Sequence, residues 1–305
     1  MQMTNLIDCI GNTPAIKLRS VPKNSRSTIW AKLENLNPAG SIKDRACIAM
    51  LRRAERESLV EPGKTTIIEA SSGNTAIGLA LCCKTNGYDL AVVMPEDTGE
   101  EKIQLIKAFK GRVILTAADR GLRGSVEKAR ELERENPDFY FFNQFKNTAD
   151  ITIHQEETAR EIENQMPGRL DAFVCGVGSG GTVMGVGSEL KKIYPQLSVV
   201  VVEPTECPTL SEGKKGPHGI CGISPGFVPE KLDPGIIDRI YQVSTENARQ
   251  CARALASEEG ILVGISSGAC LYAALGISEE LEEGSQVLVT FCDSGEMYLG
   301  TDLYD

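Results

Sequence analysis

Histidine is nearly missing from this chain: 305 residues contain only His154 and His218. A multi-histidine metal centre is excluded, and any histidine-based mechanism has two candidates. Positive charge is also scarce. Lys and Arg number 32 against 42 Asp and Glu, a formal net charge of −10. That balance argues against a nucleic-acid partner or polybasic membrane attachment, both of which need clustered cations. No run approaches the ~18 consecutive apolar residues of a membrane span. The opening MQMTNLIDCIGNTP has no charged stretch leading into an apolar one, so no secretory signal is legible. None of the ten cysteines forms a C-x-x-C pair or zinc-ligand spacing. They read as free thiols in a reducing cytoplasm. The expectation is a cytoplasmic protein without metal.

What is present is ordinary globular material, 41% hydrophobic and 24% charged. At roughly 150 residues per domain the length predicts about two domains. Glycine, at 30 residues, exceeds the usual ~7% and hints at loops where backbone approaches a ligand.

Short β-rich runs alternate with helical stretches. Strands are predicted at 28–34, 65–70, 89–94, 112–116, 139–142, 171–177, 198–203, 240–243 and 286–292. Several are solid apolar runs, such as Val199–Val202, as strands buried on both faces of a parallel sheet read. Helices are predicted at 41–57, 74–86, 100–110, 126–136, 156–165, 181–194, 245–259 and 267–279. The alternation predicts an α/β fold of two wound domains with mainly parallel sheets. The break falls near 145–155.

Ligands of such folds bind beyond the carboxyl ends of strands. Three loops have that position. Ser71-Ser72-Gly73-Asn74-Thr75 follows the strand TTIIEA and opens a helix, offering hydroxyls and N–H groups to a carboxylate or phosphate, or simply an N-cap. Gly176-Val177-Gly178-Ser179-Gly180-Gly181-Thr182 follows DAFVCGV. A phosphate there would take several charge-assisted bonds, each worth about 1.5–3 kcal/mol. This loop also fits G-x-G-x-x-G, with Glu203 ending the next strand, which keeps a nicotinamide-dependent oxidoreductase in play. Gly264-Ile265-Ser266-Ser267-Gly268 fits the G-x-S-x-G elbow, but both histidines precede Ser266, against that family's chain order.

Lys43 lies in Asn37-Pro38-Ala39-Gly40-Ser41-Ile42-Lys43-Asp44-Arg45, at the start of a predicted helix. A lysine at the positive end of a helix with Arg45 close by is a setting suited to Schiff-base chemistry. A solvated lysine in a surface turn has the same spacing.

Taken together, N-P-A-G-S-I-K-D-R, S-S-G-N-T and G-S-G-G-T closely resemble the cysteine synthase (O-acetylserine sulfhydrylase) and cystathionine β-synthase family, the fold type II pyridoxal-phosphate enzymes. Agreement extends to Ile10–Pro14, Gln144-Phe145, Val202-Glu203-Pro204, Gly216-Pro217-His218, Gly260–Gly268, Asp293–Glu296 and Tyr298-Leu299. The resemblance covers almost the entire chain.

It implies a tryptophan synthase β-subunit-like fold. A smaller mobile domain, 39–150, would carry the substrate carboxylate loop. A larger domain, 1–38 with 151–305, would carry the cofactor phosphate loop. The cofactor would be pyridoxal 5'-phosphate, joined to Lys43, the catalytic residue. Gly178, Ser179, Gly180, Gly181 and Thr182 would cradle its phosphate, Ser266 would meet its pyridine nitrogen, and Asn74 would reach its ring oxygen. Ser71, Ser72, Gly73, Thr75 and Gln144 would hold the substrate carboxylate. The implied reaction is β-replacement on an O-activated serine with sulfide, through an aminoacrylate, giving L-cysteine. The alternatives are another donor or nucleophile (O-phosphoserine, cysteine, cyanide, an amine) or a non-catalytic cofactor-binding sensor. The implied assembly is a homodimer.

The chain departs from the family at Ala76, at 97–102, at 147–150, at 157–162 and at 222–226, where Pro225 stiffens the loop. The cofactor-holding positions are kept; the loops near the substrate entrance differ.

Overall fold

The computed structural model describes residues 3–22, 25–166 and 168–305. Its strands are β1 (Ala15–Lys17), β2 (Thr28–Leu33), β3 (Thr66–Ala70), β4 (Asp89–Pro95), β5 (Arg112–Thr116), β6 (Phe139–Phe141), β7 (Ala172–Gly176), β8 (Ser198–Pro204), β9 (Arg239–Val243) and β10 (Gln286–Phe291). They form a four-stranded sheet, β5-β4-β3-β6, and a six-stranded sheet, β1-β2-β10-β7-β8-β9. All pairings are parallel except β1 with β2. The predicted fold class is what the chain adopts.

Two compact units divide the chain, one of residues up to Ile10 with Asn37–Asp150, the other Gly11–Leu36 with Ile151–Asp305. The boundaries differ from the expectation at the amino end. Asn5 caps the short 3-10 helix Leu6–Cys9 by accepting from the Ile7 N–H at 3.2 Å. That helix, with Ile7 buried, packs against the helix Asn74–Asn86, so the first residues go with the smaller unit.

In the smaller unit, β3 aligns Ile68 with Ala91 of β4 and with Phe141 of β6. One face of this sheet buries Ile68, Ala70, Ala91 and Val93 against Ala129. The helix Asn74–Asn86 is buried from Thr75 to Cys83, so it is apolar on every side. Such a helix packs within a core, not at a surface.

In the larger unit, successive residues of one strand serve opposite cores. Val174, Val200, Val202, Val287 and Val289 pack toward the helices Thr245–Ala254 and Ile265–Glu280. Phe173, Cys175, Val199, Val201 and Leu288 pack on the other face, against Ala159, Ile162, Val183, Val186 and Leu190. Each fully buried Val, Leu, Ile or Phe contributes about 1.5–3 kcal/mol, which is why these strands carry no polar alternation.

Strand order places the loops. In the small sheet the chain winds from β3 outward to β4 and β5, then returns to the other side of β3 with β6. In the large sheet it winds from β7 through β8 to β9 and returns beside β7 with β10. Each sheet therefore has a point where the winding reverses, and a crevice opens at the carboxyl ends there. The loop 71–75 and residues 143–144 flank one such point; the loop 177–182 and residues 292–294 flank the other.

Candidate active site

In the smaller unit Lys43 is the first residue of the helix Lys43–Arg56 and is half-buried. Three contacts set that position. The Gly40 N–H donates to the Asn37 carbonyl at 2.8 Å, a tight turn that holds Gly40 at φ +81°. The Ser41 hydroxyl accepts from the Lys43 N–H at 3.2 Å, and the Asp44 carboxylate accepts from the Ala39 N–H at 2.6 Å. Asp44 and Arg45 are fully buried. The segment is thus anchored inside the unit, not a solvated surface turn.

The loop after β3 places Ser71 and Thr75 in buried positions and Ser72, Gly73 and Asn74 in half-buried ones. Asn74 opens its helix. Thr75 Oγ1 donates to Gln144 Oε1 at 2.7 Å, and Gln144 Nε2 lies 3.5 Å from the Ala70 carbonyl. The predicted carboxylate-holding residues on these two separate loops are therefore brought together, because β6 pairs with β3.

Beneath them lies a residue the motif reading passed over. Glu69 of β3 is 1% exposed, and its Oε1 accepts from the Ala70 N–H at 3.1 Å. Its other oxygen has no hydrogen-bond partner. Burial raises the carboxyl to about 8, although the N–H groups of Ala70, Gln144 and Asn143 oppose this. At neutral pH it is mostly protonated, so Glu69 itself adds little negative charge beneath the 71–75 loop. The only signal in the sequence was an acidic residue in the apolar run TTIIEA.

In the larger unit the loop after β7 runs into a helix that begins at Gly181. Gly180 has φ +90°, a left-handed conformation that glycine adopts without penalty. At Gly178 a Cβ would stand 2.7 Å from the Gly222 carbonyl oxygen, so only glycine fits. The Ser224 N–H donates to the Val177 carbonyl at 2.9 Å, which ties the 222–226 loop to the same place. Thr182 Oγ1 is 3.3 Å from His154 Nε2, and His154 Nδ1 is 2.9 Å from Thr158 Oγ1. Ser266 is 3% exposed, the second residue of the helix Ile265–Glu280. A Cβ on Gly222 would lie 3.9 Å from its hydroxyl.

Two rival readings lose their footing here. Glu203 does not offer a free carboxylate to a ribose. It accepts from the Leu210 N–H at 2.8 Å, from the Ser211 N–H at 3.2 Å and from the Ser211 hydroxyl. It thereby anchors the short helix Thr209–Glu212. His218 Nε2 lies 3.1 Å from the Ser224 carbonyl and His154 is bonded to two threonines, an arrangement unlike a serine hydrolase's.

A wound α/β chain with an amine at a helix start, a hydroxyl-rich loop at one reversal point and a glycine-rich loop at the other has the layout of an α/β enzyme that binds an anionic ligand. The comparisons specify it. The family model "Pyridoxal-phosphate dependent enzyme" matches residues 6–293, and the chain belongs to that family. A cysteine synthase of Staphylococcus aureus (strain Mu50) is 43% identical over 301 residues, covering 98% of this chain and 96% of the relative. A probable cysteine synthase of Bacillus subtilis (strain 168) is 42% identical over 305 residues, 99% and 98% of the two chains. Among solved structures, an O-ureido-L-serine synthase superposes with a TM-score of 0.96 at 38% identity, covering 100% of this chain and 96% of its own. An O-acetylserine-dependent cystathionine β-synthase from Helicobacter pylori gives 0.93 at 38%, covering all of both chains. The chain is thus a pyridoxal-phosphate-dependent enzyme similar to cysteine synthases.

The residues present fit that cofactor. The 178–182 segment offers backbone N–H groups at the positive end of a helix, two hydroxyls and no carboxylate, a donor set suited to a phosphate. Gly178, with no room for a side chain, keeps the backbone against the neighbouring loop.

Proposed function

We propose that the enzyme replaces the β-substituent of an O-activated serine, O-acetylserine or a close equivalent, with sulfide to give L-cysteine. The observation that carries the reading is the union of Thr75 and Gln144 above a buried, mostly neutral Glu69. Hydroxyl and amide donors suit an amino-acid carboxylate.

Pyridoxal phosphate, when bound, supplies the electron sink for the carbanion at the substrate Cα. The rest is the chain's work. Gly178 to Thr182 would hold the phosphate, and Ser266 would meet the ring nitrogen with a neutral hydroxyl. Asn74 would reach the ring oxygen. Ser71, Ser72, Gly73, Thr75 and Gln144 would hold the substrate carboxylate and so orient the Cα–H bond. Lys43 Nζ would carry the cofactor and, once displaced by the substrate amine, take the Cα proton and later return it. Acetate leaves Cβ and sulfide adds there. We read 39–150 as the smaller, mobile domain, as the family resemblance implies.

A second reading keeps the chemistry and changes the donor or the nucleophile. It rests on the loop 222–228, where Ser224 has φ +48°, Pro225 follows, and Phe227 and Val228 are 40% and 51% exposed. The family resemblance supports a homodimer. The ten unpaired cysteines support a cytoplasmic location.

The test is a donor and nucleophile screen. O-acetylserine, O-phosphoserine and cysteine are each added, and the visible cofactor band is followed. Products formed with sulfide, cyanide and an amine are then weighed. Cysteine from O-acetylserine and sulfide is expected. No spectral change with any donor would overturn the reading in favour of a binding protein.

A further inference from the structure

The buried His154 imidazole belongs to none of the sequence motifs. His154 is 2% exposed and lies inside a π-bulge, His154–Thr158, where the Ala159 N–H bonds to the His154 carbonyl. A second π-bulge, Val183–Gly187, begins directly after Thr182. The two bulges meet at Gly185, where a Cβ would collide with the His154 Cβ and stand 2.6 Å from the Ile151 carbonyl oxygen. Inserted residues of this kind re-aim side chains and concentrate at functional sites. Here they bring the His154 ring under Thr182.

Both ring nitrogens face threonine hydroxyls, Nδ1 at 2.9 Å from Thr158 Oγ1 and Nε2 at 3.3 Å from Thr182 Oγ1. A neutral imidazole donates from one nitrogen and accepts at the other, whereas each hydroxyl has one hydrogen to give. If Thr182 gives its hydrogen to an anion in the 178–182 loop, its oxygen must accept from Nε2–H. Nδ1 is then bare and accepts from the Thr158 hydroxyl. One direction therefore runs along the whole chain, from Thr158 to His154 to Thr182 and out to the loop. Without the ring, the Thr182 hydroxyl is at liberty to turn back to a carbonyl of its own helix.

We propose that His154 is a positioning residue for the cofactor phosphate. Fixed as its Nε2–H tautomer by Thr158, it holds the Thr182 hydroxyl as a donor toward the phosphate. This rests on reading the 178–182 loop as the phosphate cradle, and the test separates the two ideas. Dissociation constants are measured on the reconstituted enzyme by absorbance titration, for pyridoxal phosphate and for pyridoxal, which lacks the phosphate.

Thr182→Val is expected to weaken pyridoxal phosphate about tenfold and leave pyridoxal unchanged. His154→Asn and Thr158→Val should each weaken it roughly fivefold, again without effect on pyridoxal. His154→Gln, whose amide nitrogen replaces Nε2 as donor, should stay within about twofold of the parent. On a Thr182→Val background, His154→Asn should add nothing. Full loss from Thr182→Val with none from His154→Asn and Thr158→Val would overturn the proposal while leaving the cradle intact. An undiminished His154→Asn effect on the Thr182→Val background would do the same. If Thr182→Val leaves the preference for the phosphorylated cofactor unchanged, the cradle reading falls and the proposal with it. Should His154→Asn not fold, the near-isosteric Thr158→Val decides alone.

Discussion

Thr75 and Gln144, 69 positions apart, are joined by a 2.7 Å hydrogen bond across the reversal point of the smaller sheet. Each helps to aim the other. Thr75→Val leaves the Gln144 oxygen without this donor, and Gln144→Ala removes the acceptor. Either change should raise KM for the amino-acid donor about tenfold while changing kcat less, as expected for loss of one or two bonds to a charged group. The double variant should do no worse than the larger single effect, because the residues act as a unit. Steady-state kinetics decide this, and an unaltered KM in both single variants would contradict it.

Glu69 makes stability depend on pH with a definite sign. Its carboxyl is raised from 4.5 to about 8. Between those values the folded chain holds a proton that the unfolded chain releases, so stability falls as pH rises through that window and levels off above it. Each tenfold difference in proton affinity is about 1.4 kcal/mol, so the effect is of the order of a few kcal/mol. Glu69→Gln should erase this slope and become more stable relative to the parent as pH increases from 5 to 8. Urea unfolding across that range measures it; parallel curves would refute the buried neutral carboxyl.

Lys32 is fully buried and bonds to Glu161 at 2.6 Å, to the Thr13 carbonyl at 2.5 Å and to Gln165 at 3.1 Å. Glu161 also accepts from the Asn12 N–H at 2.8 Å. The network clamps the turn before β1 to β2 and to the helix Ala159–Gln165. Lys32→Met leaves a mostly buried carboxylate unbalanced and should lower the unfolding free energy by about 3–5 kcal/mol. Adding Glu161→Gln should recover part of the loss. Denaturant unfolding of the two variants checks both signs.

Most of the architecture was legible because parallel strands buried on both faces read as solid apolar runs, and Val199–Val202 could hardly be anything else. β1 escaped notice: three residues, Ala15–Lys17, paired antiparallel at an edge, carry no such run. The π-bulges were invisible because an inserted residue leaves helical periodicity almost unchanged over a few turns. The motifs exposed Lys43 and the glycine loops through their local composition. They could not expose Glu69 or His154, whose meaning comes from what folds against them. The placement of residues 3–9 depended on one small helix finding a partner far along the chain.

Every proposed step depends on a covalent bond between Lys43 Nζ and the cofactor, which borohydride reduction followed by peptide mass spectrometry detects directly. A yellow protein that bleaches on reduction is expected, with the pyridoxyl-phosphate mass on the peptide containing Lys43 and no label on a Lys43→Ala variant. Label on a different lysine, or none after incubation with pyridoxal phosphate, would contradict it.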